Sequence, residues 1–170
     1  MANFKVFLVF VLFLLSADFI ATFFYHVPEH IFGKYHALIH HSPNRSFIYY
    51  ALVQKKPRVL LSGFMAFLPY CIFIPVFWAI SPIGTLLGVA IAGVHVCWRH
   101  QPIRAQKTPV FLQKICEVLY ITTPERHWKH HQNYRVAYGD IFTFYDQPAQ
   151  KWYKILVQVK KKCRSYFNLI

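Results

Sequence analysis

Histidines are the residues of this chain whose types and spacing could do chemistry. There are ten, and most are grouped with spacings of three or four residues. Neutral imidazole is the commonest metal ligand among side chains, and such spacings return side chains to one face of a helix. The grouping therefore predicts a site for more than one metal ion. All ten are candidate ligands: His26, His30, His36, His40, His41, His95, His100, His127, His130 and His131.

The most specific group is the last one, His127-Trp128-Lys129-His130-His131. On a helix its three imidazoles lie within an arc of about 100°, so all three can converge on one or two ions. An exposed basic loop that happens to carry three histidines is the alternative.

The earlier groups are less regular. His26 and His30 are four residues apart and share a helical face, although a proline between them can begin or kink a helix. In the next group His41 would point about 140° away from His36 on a regular helix. We therefore expect His36 and His40 to be ligands before His41, unless a local bulge brings it round.

His95 and His100 lie at the end of a long apolar stretch. Either could reach a metal site at the membrane edge, and His100 is the stronger candidate. A hydrogen-bonded histidine inside a helix bundle is an equally simple interpretation of His95.

The donor set suggests which metals fit. Imidazole-rich ligation without paired cysteines suits iron, copper or zinc, and ten nitrogen donors exceed what one tetrahedral ion needs, so we expect two ions. With only six acidic residues in the chain, the usual carboxylate-bridged di-iron site is not expected. Carboxylates can instead orient ligand histidines through their second ring nitrogen. Asp18, Glu29 and Glu125 are the candidates for this role, and an ion pair with Arg or Lys is the alternative for Asp18.

The elements that must position these histidines look like membrane helices. The chain is 56% hydrophobic, and a helix of about 20 apolar residues crosses the hydrocarbon core. We predict spans at about 4–24, 59–80 and 84–98, with a break near Ser81-Pro82, and an interfacial helix at about 109–120. A cleaved signal peptide is the alternative for the first run. The fold class is all-α: one domain, 1–170, in which a small transmembrane bundle carries a histidine-rich helical cap with a di-metal site.

The net charge is +13, and the distribution of the basic residues along the chain is typical of a membrane protein rather than of a nucleic-acid-binding protein. With three crossings, only Lys5 lies on the far side, so the positive-inside rule places every histidine group at the cytoplasmic face. Nucleic acid is not expected as a partner. The basic amphipathic tail, 151–170, is expected to lie over anionic lipid, with a solvated tail as the alternative.

The order of these motifs resembles a known family. HxxxH, HxxxHH, a single histidine in His100-Gln101-Pro102-Ile103-Arg104 and Thr122-Thr123-Pro124-Glu125-Arg126-His127-xx-His130-His131 are similar to the fatty acid hydroxylase/sterol desaturase superfamily. Tyr138-Gly139 leading to Tyr145-Asp146 is similar to the closing pattern of that family. The similarity covers roughly Asp18 to Asp146.

This resemblance implies an activity, a cofactor and partners. It implies a membrane oxidoreductase that hydroxylates or desaturates a C–H bond of a fatty acyl, sterol or carotenoid substrate with dioxygen. The cofactor would be two non-haem iron ions, with zinc as a substitute in purified protein. The partners would be a lipid substrate from the bilayer and an electron donor, either a b-type cytochrome or a ferredoxin with its reductase.

Two other functions use histidines in membranes. A metal carrier or transporter should place its ligands along a path through the bilayer midplane, whereas most histidines here lie outside the predicted spans. A membrane haem protein would use histidines that face each other inside the bundle, which leaves the clusters unexplained. Neither accounts for the pattern as well as an oxidase does.

Overall fold

The computed structural model describes residues 2–33, 49–100 and 107–167. Within these ranges every regular element is helical, and the only extended pairing is an isolated antiparallel bridge between Ile121 and Phe142. The all-α prediction is thereby confirmed. The predicted ligands His36, His40 and His41 lie outside the described residues.

The N-terminal helix is a single rod. Helix α1 spans Ala2–Ile20, a π-helical stretch spans Ala21–His26, and helix α2 spans Val27–Phe32. Pro28, which lacks an N–H, lies in the first turn of α2 directly after the π-helical stretch, and the rod continues through it.

The wide π-helical turn has a positional consequence. Asp18, Thr22, His26 and His30 follow one another at intervals of four residues. In a regular helix each such step overshoots a full turn by about 40°, so the series would drift around the axis. A π-helical turn holds more residues per turn and reverses part of that drift. Asp18, Thr22 and His26 consequently all lie buried.

Helices α3 (Val59–Ile80) and α4 (Pro82–Arg99) form the predicted hairpin. The predicted break at Ser81-Pro82 is one residue wide and is the N-cap of α4. The Ser81 hydroxyl accepts a hydrogen bond from the Gly84 amide at 3.2 Å, and Pro82 occupies the first helical position. Helix α4, the third predicted span, therefore begins two residues before the predicted start at about residue 84.

Helix α1 packs mainly against α4 and also against α3. Glycines of α4 allow this close approach: a Cβ at Gly84 would lie 2.7 Å from the carbonyl oxygen of Val6, and one at Gly88 would lie 2.5 Å from the Phe13 ring. Phe13 is fully buried and meets Phe77 of α3 edge-on. This interface is the core of the bundle.

Two of the described helices are long and apolar enough to cross a membrane, the rod Ala2–Phe32 and α4. The segment Phe64–Ile80 of α3 is a shorter apolar helix. Large apolar side chains such as Phe64 and Leu86 are exposed on the outside of this bundle. Such a surface is typical of contact with lipid.

The C-terminal part caps one end of the rod. It contains α5 (Val110–Val118), α6 (Pro124–Gln132), a 3₁₀ turn (Thr143–Tyr145) and α7 (Asp146–Phe167). The predicted basic tail is thus the second part of a longer helix that packs on α2. The Trp152 indole donates to the Phe23 carbonyl at 2.8 Å, and the Lys160 ammonium donates to the Ile31 carbonyl near the end of α2. One face of the tail is therefore bound to protein.

Candidate metal centre

Helix α6 carries the most specific histidine motif, and its start is fixed by local sequence. The Thr123 hydroxyl accepts the Arg126 amide at 3.3 Å, and Pro124 follows as the first helical residue. His127 and His130 are buried on this helix. The N-cap therefore fixes where α6 begins and places both imidazoles on its buried face.

A first triad consists of His26, His30 and His130. The Nε2 atom of His130 lies 2.9 Å from Nε2 of His26 and 2.9 Å from Nε2 of His30. The rod supplies two of these residues and α6 supplies the third, about a hundred positions later in the chain. Sequence spacing predicted the pair on the rod, and folding joins it to α6.

A second triad consists of His100, His127 and His131. The Nε2 atom of His127 lies 3.1 Å from Nε2 of His100 and 3.1 Å from Nε2 of His131. Here α6 supplies two ligands and the end of α4 supplies one. The two triads are neighbours, because the rings of His127 and His130 stack with centroids 6.1 Å apart.

The ring tautomers in the first triad indicate that a cation belongs there. His130 Nδ1 lies 2.7 Å from the Val136 carbonyl oxygen, which can only accept, so the proton sits on Nδ1 and Nε2 carries a lone pair. His26 Nδ1 lies 3.1 Å from a carboxylate oxygen of Asp140, and the negative charge of that oxygen favours a proton on Nδ1. Two lone pairs would then meet at 2.9 Å. They repel each other unless a metal ion accepts both.

The second triad repeats this arrangement. His100 Nδ1 donates to the Val96 carbonyl oxygen at 2.7 Å, so its Nε2 lone pair points toward His127. Burial, together with the positive charge of Arg99, lowers the pKa of His127 well below its usual range. His127 is therefore neutral near pH 7, the form that binds metals. With metal–nitrogen bonds of 2.0–2.1 Å, neighbouring ligand nitrogens lie roughly 3 Å apart, so both triads fit a metal ion.

Asp140 is the carboxylate that orients a ligand histidine. Besides His26 it contacts Arg99, whose Nη1 lies 2.7 Å from Oδ1 of Asp140 and donates to its backbone oxygen at 2.6 Å. Burial alone would raise the pKa of this carboxyl. The positive charge of Arg99, together with the contact with His26, outweighs burial and holds the pKa well below its usual range. Asp140 was not among the carboxylates expected to orient a ligand; its place directly after Tyr138-Gly139 was the available signal.

Asp18 does not contact a histidine in any hydrogen bond of the described residues. Its carboxylate accepts the backbone amides of Ile141 at 3.1 Å and Phe142 at 2.8 Å, and the Thr22 hydroxyl at 3.3 Å. The expectation that Asp18 orients a ligand through its second nitrogen is therefore replaced by another role. Asp18 fastens the return loop to α1, and that loop presents Asp140.

Of the other two predicted carboxylates, Glu125 binds elsewhere, and Glu29 lies beside the end of α2. Glu125 accepts the Thr108 amide at 2.7 Å and the Thr108 hydroxyl at 3.0 Å, which ties the start of α5 to α6. The Glu29 carboxyl group lies against Gly33, where a Cβ would come within 2.1 Å of it. Asp146 orders the loop by accepting the Gly139 amide at 2.7 Å and pairing with Arg126.

His95 differs from the other described histidines, because it belongs to neither triad. Its Nε2 lies 2.8 Å from the Thr122 carbonyl oxygen, to which it donates. This contact joins α4 to the segment that leads into α6. The structure thus favours the bundle histidine over the metal ligand at this position.

Tyr138 is a site residue whose role the sequence did not reveal. It is fully buried, and its ring contacts the rings of His26, His30 and His130 with centroids 5.4 to 6.0 Å away. On its far side it stacks on Tyr153 of α7. Tyr138 therefore lies between the first triad and α7 and shields the triad from solvent.

A cavity of about 380 Å³ leads to both triads. It is lined by His26 of the first triad and His100 of the second, and it continues along α4 as far as Val89. That stretch of helix is about 16 Å long at 1.5 Å per residue. The remaining lining is mostly apolar: Tyr25, Ala66, Phe67, Tyr70, Ala92, Gly93, Val96, Cys97, Arg99 and Asp140. The cavity can therefore bring an apolar molecule to two adjacent metal-binding groups.

Comparison with known proteins agrees with this geometry. The sequence profile of the family described as "Fatty acid hydroxylase" matches residues 10–150, which includes every triad histidine. No curated protein and no solved structure matches the chain.

Proposed function

Because this chain belongs to the fatty acid hydroxylase family, we propose that it is a multi-pass membrane di-iron oxidase that hydroxylates or desaturates a lipid. Membership of the family makes it an oxidoreductase of the hydroxylase or desaturase type that acts on lipids. The iron, the substrate position and the orientation in the membrane are the parts that we add. The observation that carries the proposal is the convergence of two histidine triads at one end of an apolar cavity.

The triads are suited to hold two iron ions side by side. His26, His30 and His130 would hold one ion, and His100, His127 and His131 the other. When bound, the pair supplies the activation of dioxygen and the oxidation of a C–H bond. Neutral imidazoles leave much of the positive charge of such ions uncompensated, which favours the uptake of electrons and of anionic oxygen species.

The chain itself positions the substrate. The apolar walls contributed by α3 and α4 would hold a hydrocarbon segment, and the reacting carbon would lie where His26 and His100 line the same cavity. Tyr138 is fully buried beside the first triad and keeps water from that side of it. Because the outer faces of α3 and α4 are apolar, the substrate can arrive from the bilayer rather than from solution.

The reaction requires two electrons from outside the chain. Hydroxylation consumes one C–H bond, O₂, two electrons and two protons, and gives an alcohol and one water. Desaturation breaks two adjacent C–H bonds with the same reagents and gives an alkene and two waters. The proposed donor is a b-type cytochrome or a ferredoxin with its reductase, which would approach from the cytoplasmic side.

Expression of the chain in a host, followed by mass spectrometry of extracted lipids, tests the proposed function. We expect a lipid that gains one oxygen or loses two hydrogens, and two irons per chain in protein purified from the same cells. His130→Ala should abolish the product, because it removes the central nitrogen of the first triad. Gln132→Ala, an exposed neighbour on α6, is the matched control.

Two results would contradict the proposal. One is a lipid product that persists in the complete absence of bound iron. The other is full activity of His130→Ala at the level of Gln132→Ala.

A further inference from the structure

Helix α5 presents an apolar face to the outside of the protein. Phe111, Ile115 and Val118 lie within an arc of about 60° on this helix. All three are exposed, Phe111 by 67% and Val118 by 76%. Cys116, on the other side of the helix, is buried. Three large apolar side chains exposed together on one nine-residue helix indicate a surface that contacts something other than water.

The polar residues of α5 occupy a separate side of the helix. Gln113, Lys114 and Glu117 lie within an arc of about 100° that does not overlap the apolar face. A helix divided in this way suits the boundary between lipid and water, where its apolar side enters the acyl chains by about 5–10 Å. The long stem of Lys114 lets its ammonium group reach the level of the lipid headgroups.

A row of aromatic rings connects α5 to the outside of the rod. The ring of Tyr120, which follows α5, lies 6.2 Å from the ring of Phe144, measured between centroids. Phe144 lies 4.5 Å from Tyr145, and Tyr145 lies 5.9 Å from Phe19 of the rod. Tyr120, Phe144 and Phe19 are exposed. Because Phe19 belongs to a segment long and apolar enough to cross a membrane, lipid around Phe19 would extend along this row toward α5.

Helix α5 is also joined to the helix that carries most of the triad histidines. The Thr143 amide donates to the Tyr120 carbonyl oxygen at 2.7 Å, which fastens the end of α5 to the loop before α7. Glu125 in the first turn of α6 accepts two hydrogen bonds from Thr108, two residues before α5 begins. A surface that holds α5 in place therefore also holds α6.

We propose that the apolar face of α5 is inserted into the leaflet of the bilayer that adjoins the triads, and that it fixes the height of α6 at the lipid surface. The bilayer is favoured over a second copy of the chain or a protein partner, because this face is continuous with the outside of a membrane-long helix. The proposal goes beyond the reaction proposed above, since it requires a membrane but neither iron nor turnover.

Nitroxide labels on single cysteines test this position. The full chain, with its native cysteines changed to alanine, carries either Val118→Cys or Glu117→Cys and is reconstituted into vesicles of phosphatidylcholine and phosphatidylglycerol. Glu117 is the matched control, because it is also exposed and lies about 100° around the helix from Val118. Electron paramagnetic resonance measures how often each label collides with oxygen, which concentrates in acyl chains, and with a nickel chelate, which stays in water.

We expect the ratio of oxygen to nickel collisions to be several-fold higher for the label at Val118 than for the label at Glu117. Phe111→Cys lies on the same face and should behave like Val118→Cys, which provides the test if the latter does not fold. Leu86→Cys, at an exposed position of α4, is the reference for direct contact with lipid.

The outcomes separate this proposal from the proposed function. Frequent nickel collisions at both Val118 and Glu117, with the Leu86 label in lipid, would overturn the insertion of α5 alone. A Val118 label that is shielded from both reagents, with spin–spin broadening that disappears on dilution with unlabelled chains, would show that a second copy covers this face and would also overturn the proposal. If the Leu86 label reports water as well, the membrane-spanning bundle of the proposed function fails too.

Discussion

At the scale of single residues, the second ring nitrogen decides what each histidine does. His130 and His100 each direct Nδ1 at a backbone carbonyl oxygen, and Nδ1 of His26 lies 3.1 Å from the Asp140 carboxylate, which leaves Nε2 for a metal. His95 instead uses Nε2 for a hydrogen bond to the Thr122 carbonyl oxygen. Residues of one type, all near the same end of the bundle, are thereby divided into ligands and a structural contact.

This division predicts opposite results for two equal substitutions. His95→Gln should keep both metal ions, because a glutamine amide can also donate to the Thr122 carbonyl. His100→Gln should lose about one ion per chain, because an amide is a poor substitute for imidazole at iron or zinc. The metal-to-protein ratio of the two purified variants checks this. Metal loss in His95→Gln equal to that in His100→Gln would contradict the assignment.

The sequence predicted which histidines lie together better than it predicted the partners of the carboxylates. Spacing along a helix identified His26 with His30, and His127 with His130 and His131, because those relations are local. The backbone amides that Asp18 accepts lie more than 120 positions away, at residues 141 and 142. No local pattern distinguishes a carboxylate that binds a loop from one that orients an imidazole, so Asp18 was expected to play the part that Asp140 plays.

At the scale of elements, the loop between α6 and α7 is held in place from both sides. Asp18 of α1 binds its Ile141 and Phe142 amides, and the Thr122 hydroxyl donates to the Gly139 carbonyl at 3.0 Å. Gly139 itself has no room for a side chain, since a Cβ would lie 2.1 Å from the Phe142 carbonyl oxygen. The position of Asp140 beside His26 depends on these contacts.

Asp18→Asn and Asp140→Asn should therefore differ in what they damage. Asp18→Asn replaces one acceptor oxygen with a donor against buried amides, which should cost about 1–3 kcal/mol of stability. Asp140→Asn should lower metal affinity about 10- to 100-fold, as expected for the loss of a carboxylate that orients a ligand. Thermal unfolding in detergent and competition with a chelator measure the two effects. Each variant is the control for the other, and a reversed ranking would refute these roles.

The sequence predicted the helices better than the connections between them. Apolar runs predicted α3 and α4 to within a few residues, because burial in lipid or in the bundle demands long apolar segments. The rod continues to Phe32, beyond the predicted end at about residue 24. The π-helical turn at Ala21–His26 was not predicted. It arises from the packing of Asp18, Thr22 and His26 toward one side, which a regular periodicity does not reveal.

At the scale of the whole molecule, the triads lie where the rod, α4 and α6 meet, and the start of α1 lies at the other end of the rod. Three crossings would put these two ends on opposite sides of a membrane. The excess of basic residues after the spans favours the cytoplasm for the triads. The single-domain organisation over 1–170 stays a prediction.

Accessibility to an impermeant maleimide in intact cells tests this orientation. In a variant with Cys71, Cys97 and Cys116 changed to alanine, the exposed Cys163 of α7 should react only after the cells are permeabilised. Changing Cys163 to alanine and Ala2 to cysteine in the same background should give a thiol that reacts in intact cells. The same side of reaction for both thiols would contradict an odd number of crossings.

Helix α6 gives one histidine to the first triad and two to the second. If each triad binds a metal ion, displacement of this helix would release both ions together, so we expect occupancy close to all-or-none. Chains that hold a single ion should then be a minor population during assembly, and a cell short of the metal would accumulate empty protein rather than half-filled protein.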